Sequence, residues 1–134
     1  MSRRIALVAL VVPDYDAALE FYVGTLGFDL LEDTDLGDGK RWVRIAPPGA
    51  ETALLIARAA DTAQQVAIGN QTGGRVSFFL QTDDFNRDYV AMTDAGVLFE
   101  EAPRHEPYGS VAVWRDPFGN RWDLLELKAR PAAD

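Results

Sequence analysis

Few residues of this chain are of a type that does chemistry unaided. His105 is the single histidine and stands in Pro103-Arg104-His105-Glu106-Pro107, just ahead of a strand-like run. An imidazole there could ligate a metal or move a proton near neutral pH. No second ligand stands at a helpful spacing, and flanking charges fit a solvated loop histidine. Cysteine is absent, which excludes disulfides and thiolate chemistry. Asp116-Pro117-Phe118-Gly119-Asn120 is conspicuous but reads as a tight turn: Pro117 fixes φ, Gly119 supplies a left-handed residue, and the two flanking polar side chains tie the ends. Gly69-Asn70-Gln71-Thr72-Gly73-Gly74 is glycine-rich, yet it has no lysine and follows no strand, so it is no phosphate loop. Glu32-Asp33 and Glu100-Glu101 read as solvated carboxylates.

The elements that must position any site repeat themselves. Tyr15, Leu19 and Tyr22 follow Pro13-Asp14, and Phe85, Tyr89 and Met92 follow Asp83-Asp84; each matched pair is 70 residues apart (15 to 85, 19 to 89, 22 to 92). The i, i+4, i+7 spacing makes both segments amphipathic helices, with Asp14 placed to cap the first. Each follows a β-prone run (Ile5–Val12, Arg75–Thr82) and is closed by a glycine (Gly27, Gly96). Phe28–Thr34, Lys40–Ala46 and Thr52–Arg58 read as strands in the first half, and Val97–Ala102, Ser110–Arg115 and Arg121–Leu127 in the second. Asp35-Leu36-Gly37-Asp38-Gly39 is a turn and Pro103–Gly109 a loop. The expected class is α+β, with two tandem β-α-β-β-β modules over about 4–58 and 75–128, a linker over 59–74 holding a short helix capped by Asp61, and a frayed tail over 129–134. One such module covers a single face of its sheet with a helix. Two can curve their sheets around a shared cup with the helices outside, a natural place for a small molecule.

The bulk composition narrows the function classes. The 134 residues are 48% hydrophobic and 25% charged, which suits one globular domain. A net charge of −8, with no basic stripe between aromatics, argues against nucleic acid as a partner. No apolar run is long enough to span a bilayer and no signal-peptide cleavage site is visible, so the expectation is a cytoplasmic protein without a membrane partner.

The ordered pieces Leu10-Val11-Val12-Pro13-Asp14-Tyr15, Phe21-Tyr22, Leu26-Gly27-Phe28, Thr82-Asp83-Asp84-Phe85, Pro107-Tyr108-Gly109 and Asp116-Pro117-Phe118-Gly119-Asn120-Arg121-Trp122-Asp123-Leu124 resemble the vicinal oxygen chelate superfamily. Glyoxalase I, the bleomycin resistance proteins, fosfomycin-modifying enzymes and extradiol dioxygenases belong to it. The resemblance covers about Ile5 to Leu127. It implies a divalent metal held in the cup by four side chains, one from the first and one from the last strand of each module. Carried onto this chain, those positions are Leu7, Ile56, Ser77 and Asp123. Leucine and isoleucine cannot ligate, serine is a poor ligand at neutral pH, and only Asp123 is competent. The resemblance with these departures implies no metal and no other cofactor.

Asp123 then faces the cup by analogy, either as half of an ion pair with Arg121 or Arg44 or as a ligand contact. Glu126 has the opposite strand parity and is expected outside. Trp42, Phe79, Tyr108 and Trp114 are candidate lining aromatics, with Phe79 sharing the parity of Ser77. The leading expectation is a binder of a small apolar or aromatic molecule, of the bleomycin-resistance type, acting as a homodimer. The alternatives are a metal-dependent lyase, isomerase or dioxygenase with a displaced site that recruits Asp123 and His105, and a structural protein with a filled cup.

Overall fold

A computed structural model describes residues 1–128; the expected tail over 129–134 lies outside the described residues. The chain is a mixed α+β protein with two mixed sheets. It divides into two compact units, Met1–Gln71 and Thr72 onward.

In the first unit, β1 (Leu7–Val12), α1 (Tyr15–Leu19), β2 (Asp29–Gly37), β3 (Lys40–Ala46), β4 (Ala53–Arg58) and α2 (Thr62–Ala67) follow in order. The sheet order is β1-β4-β3-β2, with β1 parallel to β4 and the other pairs antiparallel. Asp14 caps α1 as expected, its Oδ2 accepting from the Ala17 N–H at 2.8 Å. The helix does not run on regularly. Glu20–Thr25 widens into a π-helical turn, with the Leu26 N–H donating to the Phe21 carbonyl at 2.9 Å. Successive side chains on a regular helix diverge, and the widened turn lets both Phe21 and Tyr22 bury against the core. Their rings meet edge to face at 5.0 Å, a favoured aromatic geometry. The β2–β3 hairpin closes on Asp38 and Gly39, both with positive φ (54° and 77°), so the strand runs three residues further than the expected Thr34 end.

Register fixes which side chains share a face. Leu10 pairs with Ile56, Val43 with Ile56, and Ile45 with Leu54. These residues and Val12 are all buried; α1 packs on β4, and its Tyr15 and Ala18 complete this core. The second face carries Leu7, Ala9, Val11, Leu55, Ala57, Trp42 and Arg44. The linker helix α2, capped by Asp61 through the Gln64 N–H at 2.8 Å, packs beside β1 and so belongs to the first unit. Gln71 finishes that edge: its Oε1 accepts from the Val11 N–H at 2.7 Å, and its Nε2 donates to the Ala9 carbonyl at 3.0 Å. One side-chain amide thus occupies the donor and acceptor that a further strand would use. Gln71→Ala should cost about 1 kcal/mol in urea unfolding and raise the tendency to aggregate, read by light scattering during refolding.

The second unit contains β5 (Phe78–Gln81), α3 (Phe85–Asp94), β6 (Leu98–Phe99), β7 (Arg104–Glu106), β8 (Gly109–Arg115) and β9 (Arg121–Leu127). The order is β5-β9-β8-β6, with β7 also on β8. The segment expected to be a loop, Pro103–Gly109, is therefore partly strand: Arg104–Glu106 folds back on Gly109–Val111. Asp84 caps α3 through the Arg87 N–H at 3.0 Å. Glu126 lies on the helix face as expected, its carboxylate accepting from the Phe85 N–H at 2.6 Å. The Asp116–Asn120 turn is structural: Asp116 Oδ1 accepts from the Phe118 and Asn120 N–H groups at 2.9 and 2.8 Å, and Oδ2 from Asn120 Nδ2 at 2.7 Å.

Candidate functional site

In the second unit, the parallel β5–β9 register sets Phe79 opposite Asp123 and Phe78 opposite Trp122. The antiparallel β8–β9 register sets Val113 opposite Asp123 and Trp114 opposite Trp122. Phe78, Trp122 and Trp114 therefore share the face that α3 covers. The two tryptophan rings stack at 5.0 Å, and Trp114 is 0% exposed. Trp114 is a core residue and not a lining aromatic, because strand parity turns it towards the helix. The other face carries Ser77, Phe79, Asp123 and Val113. Ser77 joins it through the bond from its N–H to the Arg121 carbonyl at 2.9 Å. Its hydroxyl lies 2.9 Å from that of Thr72.

Phe79 is 63% exposed, a large apolar ring left uncovered in the centre of a strand. Beside it, Asp123 Oδ1 is buried with no hydrogen-bond partner. Burial pushes the Asp123 carboxyl above the usual carboxylate range; Arg104 pulls it down, Glu101 pushes it up, and Arg121 pulls it down. Neither expected ion-pair partner reaches it. Arg121 donates to Glu100 at 2.8 Å and to the Gly74 carbonyl at 3.0 Å, and Arg44 donates to Glu32 at 3.0 Å. A buried carboxylate oxygen left unpaired costs stability, which makes Asp123 a candidate contact for a ligand.

Tyr108 sits in the β7–β8 turn and is half exposed. The β7–β8 hairpin pairs His105 with Ser110, and His105 Nδ1 lies 2.9 Å from Ser110 Oγ. That places His105 on the face opposite Asp123.

In the first unit, Leu7 and Trp42 share the second face, but Ile56 does not. It lies on the helix-covered face and is 1% exposed. The matching registers explain the slip: Leu10 pairs with Ile56 as Leu80 pairs with Leu124. Leu55, not Ile56, is therefore the counterpart of Asp123. The last strands are offset by 68 residues (56 to 124) and not 70, so the repeat drifts between the helix and the final strand. The first unit also holds a cleft of about 620 Å³, lined in part by Leu36, Lys40, Trp42, Leu55, Ile56, Ala57 and Arg58. Strand periodicity did not single out Lys40 or Arg58, since both sit at strand ends. The Asp38-Gly39 turn ahead of Lys40 was the available signal.

The sequence model of the Glyoxalase/Bleomycin resistance protein/Dioxygenase superfamily matches residues 4–124. The chain belongs to this superfamily. It is 52% identical to an uncharacterized protein of Shewanella frigidimarina, over 95% of this chain and 96% of that one. Among solved structures it is similar to TnmS3, an antibiotic binding protein from Streptomyces sp. CB03234, at 31% identity and a TM-score of 0.77, covering 95% of this chain and 98% of that one. It is also similar to a glyoxalase/bleomycin resistance protein from the same Streptomyces strain, at 33% identity and a TM-score of 0.71, covering 91% and 99%.

The metal that the superfamily implies does not fit these residues. Correcting Ile56 to its neighbours brings no ligand, because Ala53, Leu55 and Ala57 are the β4 residues that share the face of Leu7. Ser77 is spent on Thr72, and among the described residues no group of three or more His, Cys, Asp or Glu side chains is placed to hold a metal ion. A lone carboxylate does not make a Lewis-acid centre. Among the described residues no helix is long and apolar enough to cross a membrane.

Proposed function

We propose that this superfamily member binds a small, largely apolar or aromatic molecule without a catalytic metal, with Phe79 and Asp123 as its principal contacts. The observation that carries the reading is the pairing of an uncovered aromatic ring with an unpartnered carboxylate oxygen on adjacent strands. The ring offers a stacking surface. The carboxyl, pushed up by burial, offers a hydrogen bond to a ligand hydroxyl or amine, as donor when protonated and acceptor when ionised. Such a site is suited to recognising and sequestering a ligand. The likeness to an antibiotic binding protein supports the same class of ligand.

The test is a thermal-shift screen of aromatic natural-product antibiotics against protein kept in EDTA. A ligand present at a hundred times its Kd adds about 2.7 kcal/mol to stability, which reads as an upward shift of several degrees. Phe79→Ala should abolish the shift while leaving the unliganded melting point nearly unchanged, since the ring is exposed. A shift that appears only when a divalent metal is restored would contradict the proposal.

A homodimer belongs to the same reading. Leu30 and Leu31 lie exposed on β2, the edge strand of the first sheet, and an apolar edge calls for a partner. Sedimentation velocity at micromolar concentration should show a species of twice 14.8 kDa; a single monomer boundary would contradict it.

A further inference from the structure

The cleft of the first unit carries charge that the fold does not use. Its walls include the apolar side chains of Leu36, Trp42, Leu55 and Ala57, and its rim carries Lys40 and Arg58. Most arginines of this chain are tied to carboxylates: Arg41, Arg44, Arg87, Arg104, Arg115 and Arg121 all form ion pairs. Lys40 and Arg58 form none among the described residues. Arg41, which also lines the cleft, is committed to Asp16 at 2.9 Å and Asp33 at 2.7 Å, so it is not available to a ligand. Arg58 is held in place without being neutralised. Its guanidinium lies 5.6 Å from the centre of the Tyr15 ring, a cation–π contact that orients the group and leaves its charge in full. Of the lining residues only Asp38 is acidic.

We propose that this cleft binds a small molecule with a flat apolar body and one anionic group, a carboxylate being the simplest case. Its volume of about 620 Å³ suits such a ligand. Trp42 and the aliphatic wall take the body, and Lys40 and Arg58 take the anion, Arg58 offering the planar fork that matches a carboxylate. Solubility does not require the two cations, since the chain already carries a net charge of −8. A neutral ligand would leave them unmatched. The site uses no residue of the second unit, so it stands or falls apart from the Asp123 reading.

The probes are 2-naphthoate and its neutral isostere 2-naphthylmethanol, titrated into the full chain by calorimetry and by amide chemical shifts. The acid should bind roughly tenfold more tightly than the alcohol at low ionic strength, as two partly exposed charge contacts allow, and the advantage should shrink in about 1 M salt. Lys40→Gln and Arg58→Gln should each remove roughly threefold of it and leave the alcohol's affinity as it was. The shifts should gather on β3, β4 and the β2–β3 turn, and Asp123→Ala should change none of this. No saturable binding of the acid, equal affinity for acid and alcohol, or shifts confined to residues after Thr72 would each overturn the proposal.

Discussion

Gly109→Ala is expected to destabilise the protein by more than about 4 kcal/mol, the range reserved for a named structural fault. Gly109 opens β8 with a φ of 151°, which a side-chain-bearing residue adopts only under strain. The larger fault is steric. A Cβ at this position would lie 2.0 Å from the Glu126 carbonyl oxygen and 3.0 Å from the Leu127 Cα. Those atoms belong to the facing strand, where Gly109 pairs with Leu127, so no side chain can swing aside and the ladder itself must part. The β7–β8 hairpin pairs Gly109 with Glu106 on its other edge, and Glu126 holds the N-terminus of α3, so the damage spreads through the unit. With total stability of about 5–15 kcal/mol for a domain, much of the variant should be unfolded before denaturant is added. Gly24→Ala is the control. A Cβ there meets nothing within 4 Å, and the change should move stability by less than about 1 kcal/mol. Urea unfolding of both variants beside the parent checks the pair.

Asp123→Asn should move stability and ligand binding in opposite directions. Because burial raises the folded-state pKa of Asp123, the folded chain holds this proton more tightly than the unfolded one. Below the ordinary aspartate pKa of about 4 both states are protonated, and the residue contributes no pH-dependent difference. As pH rises from there through the folded pKa, the unfolded chain gives up its proton first, and the fold loses stability that it does not regain. The asparagine variant escapes that loss. It should match the parent near pH 3 and melt above it at pH 7, with the gap opening between. The same change removes the carboxyl proposed to contact the ligand, and a hydrogen bond involving a charged group is worth about 1.5–3 kcal/mol, so on that proposal affinity should fall roughly tenfold or more. A residue kept only for packing would lose stability when changed. One kept for binding gains it.

Much of the fold is legible in the sequence because its signals are local. The helix caps at Asp14 and Asp61 follow from a carboxylate three residues before an amide that needs an acceptor; Asp84, inside the expected helix, proves to cap α3 in the same way. The turn at Asp116–Asn120 follows from its residue types. The repeat in the helices is equally plain. What escaped was set by pairing across the sheet. The 70-residue offset links Leu7 to Ser77, but it does not hold at the last strand, where the intervening loops of the two halves differ in length; the resemblance alone points to Ile56, and only the pairing with β1 shows that Leu55 is the counterpart of Asp123. Trp114 was an even choice of face until its register with Trp122 turned it to the helix. His105 reads as a loop residue because a three-residue strand such as Arg104–Glu106 carries no period of its own; only its partner β8 defines it, whereas Tyr108 does lie in a turn. The isolation of Asp123 was the least legible feature. Arg121 and Arg44 were both plausible partners, and each is taken by a glutamate, Glu100 and Glu32, that lies far off in sequence or across a hairpin.

Native mass spectrometry of freshly purified protein decides whether ligand binding is independent of metal, since it reports bound metal and bound organic ligand together. Chains free of stoichiometric metal are expected that, in the presence of EDTA, take up an aromatic ligand from the screen, with the Phe79→Ala and Asp123→Asn variants taking up markedly less. Stoichiometric zinc, nickel, manganese or iron, with ligand uptake lost on chelation, would contradict the proposal.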